Sequence, residues 1–404
     1  MKICDSEKCT GCGACMVSCP RKCITMGESD NAGTIRPIIN ETDCIKCGLC
    51  QKVCHVLCDI SKSMSLKCYA ARSSDEIIRN NGASGGIASL MYKYMVGRNI
   101  FSMGTSFDSN GGVSYKEVSS EADIEWARDS KFVYSDMTNV FEAYKEKLEE
   151  GMDCVFIGLP CQVAALKRFL ELHKVNQSRI LFVDIVCHGT PNFKHLREHL
   201  DYIERKRKKK VDRVYFRQPQ SNYNFSCYSG GKRIWSRTMH GNDTYYRGFS
   251  LGVFFRENCY RCLYANTYRV SDITLGDYSG LGTVKKFAGD KSQMSLVLCN
   301  TERGIEWFDK LCKAGMVEYY LRPIEEAINA PGNQQLRCPS SKPIQKEMFD
   351  GVYLSTRDFE KSARYAMRKL FIKYYLFFPI EGSKYIIKRI VPNRLKRLIK
   401  SLGE

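Results

Sequence analysis

The chain has 404 residues, of which 44% are hydrophobic, and its 62 Lys and Arg against 44 Asp and Glu give a net charge of +18. This length suits a small module plus a larger packed domain, and no apolar run approaches the roughly 20 residues that span a bilayer. The basic side chains lie in a C-terminal tail and in the run Arg205–Lys210, outside any nucleic-acid recognition motif, so we predict no nucleic-acid partner. With 21 cysteines and no signal-peptide pattern before the first motif, we expect a cytoplasmic protein whose thiols bind metal.

Eight cysteines near the N-terminus form two runs with the spacing C-x₂-C-x₂-C-x₃-C. They are Cys9, Cys12, Cys15 and Cys19, then Cys44, Cys47, Cys50 and Cys54. In two-cluster bacterial ferredoxins the fourth cysteine of each run ligates the cluster of the other run. We therefore predict a 4Fe-4S cluster one held by Cys9, Cys12, Cys15 and Cys54, and a 4Fe-4S cluster two held by Cys44, Cys47, Cys50 and Cys19. Zinc is the alternative, although structural zinc sites typically use two separated cysteine pairs.

Composition and periodicity divide the chain into three predicted parts. Residues 1–65 form an α+β ferredoxin-like dicluster module that ends in the polar linker Ser61–Ser65. Residues 66–340 alternate strand and helix signals, which predicts a larger α/β domain. Its clearest signals are strands starting at Cys68 and within Val155–Ile157 and Ile180–Val186, helices near 162–171 and 193–209, and a hairpin around Gly230–Gly231.

Residues 341–404 are predicted to form a helical basic tail. Residues 357–404 contain 13 Lys and Arg against 4 Asp and Glu, interleaved with aromatic and aliphatic side chains. Basic amphipathic helices often lie on anionic membrane surfaces, which suggests peripheral contact at the inner membrane face. The alternative is that these helices pack on the body of the protein.

A second set of four cysteines lies in predicted loops. Cys161 and Cys187 each follow an apolar strand, and Cys259 and Cys262 form a C-x₂-C pair. The set indicates a four-thiolate site, whereas an isolated pair can be a zinc or redox site and single buried cysteines are usually inert. Residues Gly82–Gly86 precede the helical pattern Ile87–Met95, which is typical of phosphate binding at a helix N-terminus but is also explained by an ordinary turn.

Five motifs in order resemble the coenzyme F420 hydrogenase/dehydrogenase beta-subunit family. They are Ser84–Gly86, Ser130–Ser135, Gly158–Lys167, Asp184–Pro191 and the stretch from Cys259 to Asp277. The resemblance implies FAD and a third 4Fe-4S cluster in the α/β domain, with Cys161, Cys187, Cys259 and Cys262 as cluster ligands. It places Ser84, Gly85, Gly86 and Lys131 at the flavin, and assigns Arg269, Asp272 and Asp277 of the last motif to the cofactor site. Leu159 replaces the usual Thr, and His55 replaces a usual Pro.

These observations predict an FAD-dependent iron–sulfur oxidoreductase. Electrons would pass from the ferredoxin-type clusters through the third cluster to FAD and an organic or deazaflavin acceptor, or in reverse. Lys131 would steady a flavin anion and His188 would relay a proton, although His188 beside a ligand can equally be structural. The expected partners are a ferredoxin-like one-electron carrier and a small-molecule hydride acceptor, with a homo-oligomer left open. The alternatives are a non-catalytic electron-transfer subunit of a larger oxidoreductase complex and a membrane-linked assembly protein.

Overall fold

The computed structural model describes residues 2–108, 112–218, 224–239 and 241–372. In chain order its strands are β1 (Ile24–Glu28), β2 (Ile35–Ile39), β3 (Ser63–Met64), β4 (Lys67–Ser73), β5 (Phe101–Phe107), β6 (Val113–Glu117), β7 (Cys154–Gly158), β8 (Ile180–Ile185), β9 (Arg213–Gln218), β10 (Asn224–Ser229), β11 (Lys232–Arg237), β12 (Tyr268–Arg269), β13 (Ile273–Asp277), β14 (Ser295–Cys299) and β15 (Val317–Arg322). Its α-helices are α1 (Ala14–Val17), α2 (Leu49–Lys52), α3 (Glu76–Asn81), α4 (Ile87–Val96), α5 (Ile124–Ala127), α6 (Val140–Glu149), α7 (Pro160–Leu172), α8 (Phe193–Arg207), α9 (Thr244–Ser250), α10 (Glu257–Tyr260), α11 (Glu302–Lys313), α12 (Ile324–Ile328), α13 (Ile344–Thr356) and α14 (Phe359–Ala366).

The N-terminal module consists of an antiparallel hairpin, β1 with β2, and two short helices that follow cysteine loops. Each helix begins after a glycine with a left-handed φ, 84° at Gly13 and 74° at Gly48, a backbone conformation that glycine adopts without steric cost. The module does not stand apart, because Ala14 and Val53 pack in one apolar cluster with Phe141 and Phe169 of the larger domain. Part of the predicted linker is a strand, since β3 pairs with β12.

The larger domain is built on a mixed sheet with the strand order β15-β4-β14-β13-β8-β7-β5-β6. The pairings give β4, β13, β8, β7 and β5 one direction, whereas β15, β14 and β6 run the opposite way. The chain loops that follow the five codirectional strands therefore emerge at one edge of the sheet. This edge is the place where open α/β sheets bind ligands.

Alternating side chains explain why the central strands are buried on both faces. On one face Phe156 and Phe182 pack with α6 and α7. On the other face Val155 and Leu181 pack with α4 and α11. Because successive side chains of a strand point to opposite faces, a continuous apolar run serves both layers. The strands and helices predicted around Cys68, Val155 and Ile180 are confirmed, and the domain is mixed α/β.

A second layer of structure surrounds the antiparallel sheet β11-β10-β9, which contains the predicted hairpin. Its apolar cluster includes Phe216 and Phe225 from the sheet, Leu196 and Leu200 from α8, and aromatic side chains from α9, α13 and α14. The basic run Arg205–Lys210 ends α8 and is exposed throughout, which confirms its predicted solvent-facing position.

The first part of the predicted tail packs on the body. Side chains Phe359, Met367 and Phe371 are 1%, 0% and 7% exposed and lie in the same apolar cluster as α8. Residues 373–404, which carry the rest of the tail prediction, lie outside the described residues. None of the helices that the structure describes is long and apolar enough to cross a membrane.

Candidate functional site

The first three cysteines of the chain's first run share a cavity with the last cysteine of the second run. Cys9, Cys12, Cys15 and Cys54 border about 340 Å³ of empty space. Burial raises the pKa of Cys12 to about 12, so this thiol ionises readily only when a cation or metal compensates its charge. Cys4 lines the same cavity, and its hydrogen bond is the main cause that lowers the pKa of Cys9 to about 6.

The second cavity shows the reciprocal exchange. Cys44, Cys47, Cys50 and Cys19 border about 350 Å³ of empty space. Cys23 also lines it, with its Sγ 3.5 Å from the Sγ of Cys19. Cys47 and the neighbouring Ile45 are exposed, the latter by 61%, so this cavity lies at the protein surface.

A third cavity gathers the four cysteines of the second set from three chain segments. Cys161 lies in the first turn of α7 after β7, Cys187 follows β8, and Cys259 and Cys262 lie in and just after α10. Together they border about 480 Å³ of empty space at the sheet edge. Burial raises the pKa of Cys187 to about 12, and the nearby Cys259 and Cys262 raise it further, as expected for thiols crowded around one space.

The three sets fit a cluster better than a single ion. A four-iron cluster needs thiolates arranged around a volume, whereas a zinc ion needs them around one point at about 2.3 Å. Within the described ranges no group of three or more His, Cys, Asp or Glu side chains is placed to hold a single metal ion. Each cysteine set instead borders a cavity. The ligand assignments themselves stay predictions.

The cavity of cluster one and the third cavity are separated by a thin wall of hydrogen-bonded side chains. His55 is 1% exposed; its Nε2 lies 2.9 Å from the Thr10 hydroxyl, and its Nδ1 lies 2.5 Å from the Tyr264 hydroxyl. Thr10 and His55 line the first cavity, and Tyr264 lines the third. Arg256 crosses the same wall, donating to the Thr10 carbonyl at 2.8 Å and to the Thr190 hydroxyl at 3.1 Å.

The predicted flavin loop is joined to strand β14 by hydrogen bonds. Ser84 donates to the Met294 carbonyl at 2.9 Å, and the Gly85 N–H donates to the Ser295 hydroxyl at 2.8 Å. A Cβ atom at Gly85 would lie 2.6 Å from the Ala71 carbonyl oxygen, so the packing of the strands already requires glycine there. Gly86 begins α4 with a left-handed φ of 77°. These contacts account for Ser84 and Gly85 without a ligand, and a flavin contact at any of the three residues stays a prediction.

Lys131 has three partners within the protein. Its Nζ donates to the carbonyls of Trp126 at 2.8 Å, Ala127 at 3.3 Å and Arg128 at 2.6 Å. Burial lowers its pKa to about 8, and the nearby Asp129 raises it. These contacts fix the loop that ends α5, and a contact between Lys131 and flavin stays a prediction.

The three residues assigned to the last motif also hold protein partners. Arg269, 3% exposed, pairs with Asp184 at 2.9 Å. Asp272 accepts from the Phe182 N–H at 2.9 Å and the Thr301 hydroxyl at 2.8 Å. Asp277 is exposed at the end of β13 and pairs with Arg217 at 2.6 Å.

His188 lies between the third cavity and the sheet edge. Its side chain lines the cavity, and its carbonyl accepts from the Ser340 hydroxyl at 2.7 Å. Desolvation lowers the pKa of His188, while the charge of Asp277 opposes that change. The position suits a proton carrier beside the cavity, and catalysis by His188 stays a prediction.

Sequence reasoning missed the residues of the wall and the fifth cysteine of each N-terminal cavity. Cys23 and Cys58 lie four residues after Cys19 and Cys54, so the repeat extends to a fifth cysteine and could have identified Cys23. The Cys58 Sγ instead contacts the Lys52 carbonyl at 3.5 Å. Neither Tyr264 nor Arg256 carries a sequence pattern that separates it from ordinary core residues.

Two family models match the chain. Residues 151–325 match the family described as the C terminus of the coenzyme F420 hydrogenase/dehydrogenase beta subunit, and residues 8–58 match the 4Fe-4S dicluster domain. The family resemblance is confirmed. The protein therefore combines a ferredoxin-type dicluster domain, which binds iron–sulfur clusters, with a beta-subunit domain from a family associated with oxidoreductases.

The chain is also similar to a solved structure. A chain in the xenon-derivatised F420-reducing NiFe hydrogenase complex from Methanosarcina barkeri is 17% identical, with a TM-score of 0.45 over 76% of this chain and 91% of that chain. No curated protein gave a match to the sequence.

Proposed function

We propose that the protein is an oxidoreductase that carries electrons through three 4Fe-4S clusters to an FAD at the sheet edge, for an organic or deazaflavin acceptor, or in the reverse direction. Residues 1–65 would hold two clusters, residues 66–340 the third cluster and FAD, and residues 341–404 would form an appended segment. When bound, the clusters supply one-electron transfer and the flavin supplies hydride transfer.

One observation carries this proposal: the four cysteines of the second set come together at a cavity that shares a wall with cluster one. Cys161, Cys187 and Cys259 are separated along the chain, and packed strands β7 and β8 bring the first two to neighbouring positions. Inert core cysteines would have no reason to converge on one space. The surface cavity around Cys47 is then the natural place for a ferredoxin-like carrier to exchange electrons.

The flavin is the part of the proposal for which the site residues offer least direct support. The sheet edge and the start of α4 provide the setting in which α/β proteins bind phosphates. The partners held by Gly85, Lys131 and Arg269, however, favour a second candidate function. In that candidate the chain is a flavin-free electron-transfer subunit that docks on a catalytic partner.

Metal and flavin analysis of anaerobically purified protein tests both candidates. The proposal expects about twelve irons with equal sulfide and about one FAD per chain. Cys161→Ser and Cys259→Ser should each lower iron by about four atoms, whereas Cys312→Ser, a half-buried cysteine on α11, should lower none. Unchanged iron in both site variants would return Cys161 and Cys259 to the packed core. Twelve irons without FAD, and no turnover of an organic acceptor by the isolated chain, would select the flavin-free subunit.

A further inference from the structure

Arg256 is a buried cation whose charge no carboxylate balances among the described residues. Three arginines in the described ranges are almost fully buried: Arg256 (3% exposed), Arg269 (3%) and Arg322 (7%). Arg269 pairs with Asp184 at 2.9 Å and Arg322 with Glu326 at 2.8 Å. Arg256 instead contacts neutral groups only: the Thr10 carbonyl, the Thr190 hydroxyl and the ring of Tyr134, whose centroid lies 4.5 Å from the guanidinium carbon.

An unbalanced buried charge is costly. Burying an ion without a counter-ion costs several kcal/mol even after relaxation, and hydrogen bonds to neutral oxygens offset only part of that cost. Arginine cannot escape by losing its proton. The protein at this position therefore requires a negative charge that is not a carboxylate.

The position of Arg256 shows where that negative charge lies. The guanidinium spans the wall between two cysteine cavities, since Thr10 lines the cavity of cluster one while Arg256 and Thr190 line the third. Its charge favours the thiolate of Cys9 on one side and the thiolates of Cys161 and Cys187 on the other. Surface cluster two is different, because Arg256 does not line its cavity.

We propose that Arg256 is a shared counter-cation for cluster one and the third cluster, and that it stabilises the reduced form of both. Four thiolates make each cluster anionic, and each electron that a cluster accepts adds one negative charge, so a cation in the wall favours reduction on both sides. Because one guanidinium acts on both clusters, it raises their potentials together and keeps electron exchange between them close to level. This inference rests on the proposed function, because it requires a cluster in the third cavity.

The decisive experiment is a redox titration of all three clusters by EPR in the full chain, in wild type and variants. Arg256→Gln removes the charge but keeps an amide that can donate to the Thr10 carbonyl, and Arg256→Lys keeps the charge as a point cation. A single nearby charge shifts ionisation equilibria by 1–3 pKa units. We therefore expect reduction of cluster one and the third cluster to become at least about tenfold less favourable in Arg256→Gln, a fall of about 59 mV each. Cluster two should be unchanged and serves as the reference within the same molecule.

A matched control removes a nearby arginine that is exposed. Arg261 lies between Cys259 and Cys262 and pairs with Glu7 at the surface. Because water and salt screen exposed charges, Arg261→Gln should leave all three potentials in place. Arg256→Lys should restore most of the shift. The spectra are assigned with Cys12→Ser, Cys47→Ser and Cys161→Ser, which each remove one cluster.

The outcomes separate this inference from the proposed function. Unchanged potentials in Arg256→Gln, or equal shifts in all three clusters, would overturn the role of Arg256. If Arg256→Gln loses clusters while Arg256→Lys retains them, the charge is required and the proposal stands; loss in both variants would show a purely geometric role and overturn it. Iron that stays unchanged in Cys161→Ser would instead refute the third cluster and with it the proposed function.

Discussion

A buried histidine clamped between two carboxylates should control the stability of the layer that contains the last described helix. His199 on α8 is 1% exposed; its Nε2 lies 3.2 Å from Asp243 and its Nδ1 lies 2.5 Å from Glu360 of α14. Trp235 and Thr244 donate to the same two carboxylates at 2.8 and 2.7 Å. The perturbation we choose is His199→Gln, which removes the charge and leaves the two acids facing each other.

The expected cost follows from burial. Breaking a buried ion pair by removing one partner costs about 3–5 kcal/mol, because the remaining charge stays buried without compensation. At about 2 °C per kcal/mol for a large domain, the apparent Tm should fall by about 6–10 °C. The shift is measured by anaerobic thermal unfolding at one scan rate, because a protein with clusters unfolds irreversibly.

The pH dependence has a defined sign. Burial alone would lower the pKa of His199, but Asp243 and Glu360 outweigh it and raise the pKa to about 10. A free histidine titrates near 6.5, so the folded state binds an extra proton between these two values. The stability from this group is complete below about pH 6.5 and is lost as pH rises toward about 10, by about 1.4 kcal/mol per pH unit. His199→Gln should therefore be destabilised strongly near pH 7 and much less near pH 9.

His195 provides the matched control on the same helix. It lies one turn before His199 and is 3% exposed, and in the described structure its ring nitrogens have no hydrogen-bond partner. Burial lowers its pKa to about 3, so it is neutral in both states above about pH 7. His195→Gln should keep the wild-type slope of Tm against pH between pH 7 and 9. A His199→Gln variant that keeps this slope would refute the charged clamp.

Three further predictions concern the flavin loop and the C-terminal segment. Gly85→Val should lose clusters together with flavin, because the added side chain meets the Ala71 carbonyl; loss of flavin alone, with full iron, would show that the loop serves the ligand. Deleting 357–404 should give insoluble protein, because Phe359, Met367 and Phe371 together contribute about 5–9 kcal/mol of burial against a typical total of 5–15, whereas deleting only 373–404 should give a folded protein with full iron. Residues 373–404 contain 8 Lys and Arg and 2 Asp and Glu, so the full chain should sediment with anionic liposomes at low salt and release as salt rises; equal sedimentation of chain 1–372 would place the contact elsewhere.

The parts of the fold that the sequence predicts well are those set by local spacing. The positions of β7 and β8 follow from apolar runs that serve both faces of a sheet, and the β10–β11 hairpin follows from Gly230–Gly231. The exchange of Cys19 and Cys54 between the two cavities likewise follows from the repeat. The strand order could not be predicted, because β4, β14 and β15 join the sheet through pairings between distant segments that leave no periodic trace.

The residues between the cavities were beyond sequence reasoning for a related physical reason. Cysteine spacing specifies what a loop can bind, but the wall exists only because residues 1–65 share an apolar core with α6 and α7. That shared core brings Thr10 and His55 against Arg256 and Tyr264, although these pairs lie more than 200 residues apart in the chain. A ferredoxin module on a flexible linker would expose its first cluster to water, which would screen a cation such as Arg256. The docking that hides the module boundary is therefore the same feature that allows one buried charge to act on two redox centres.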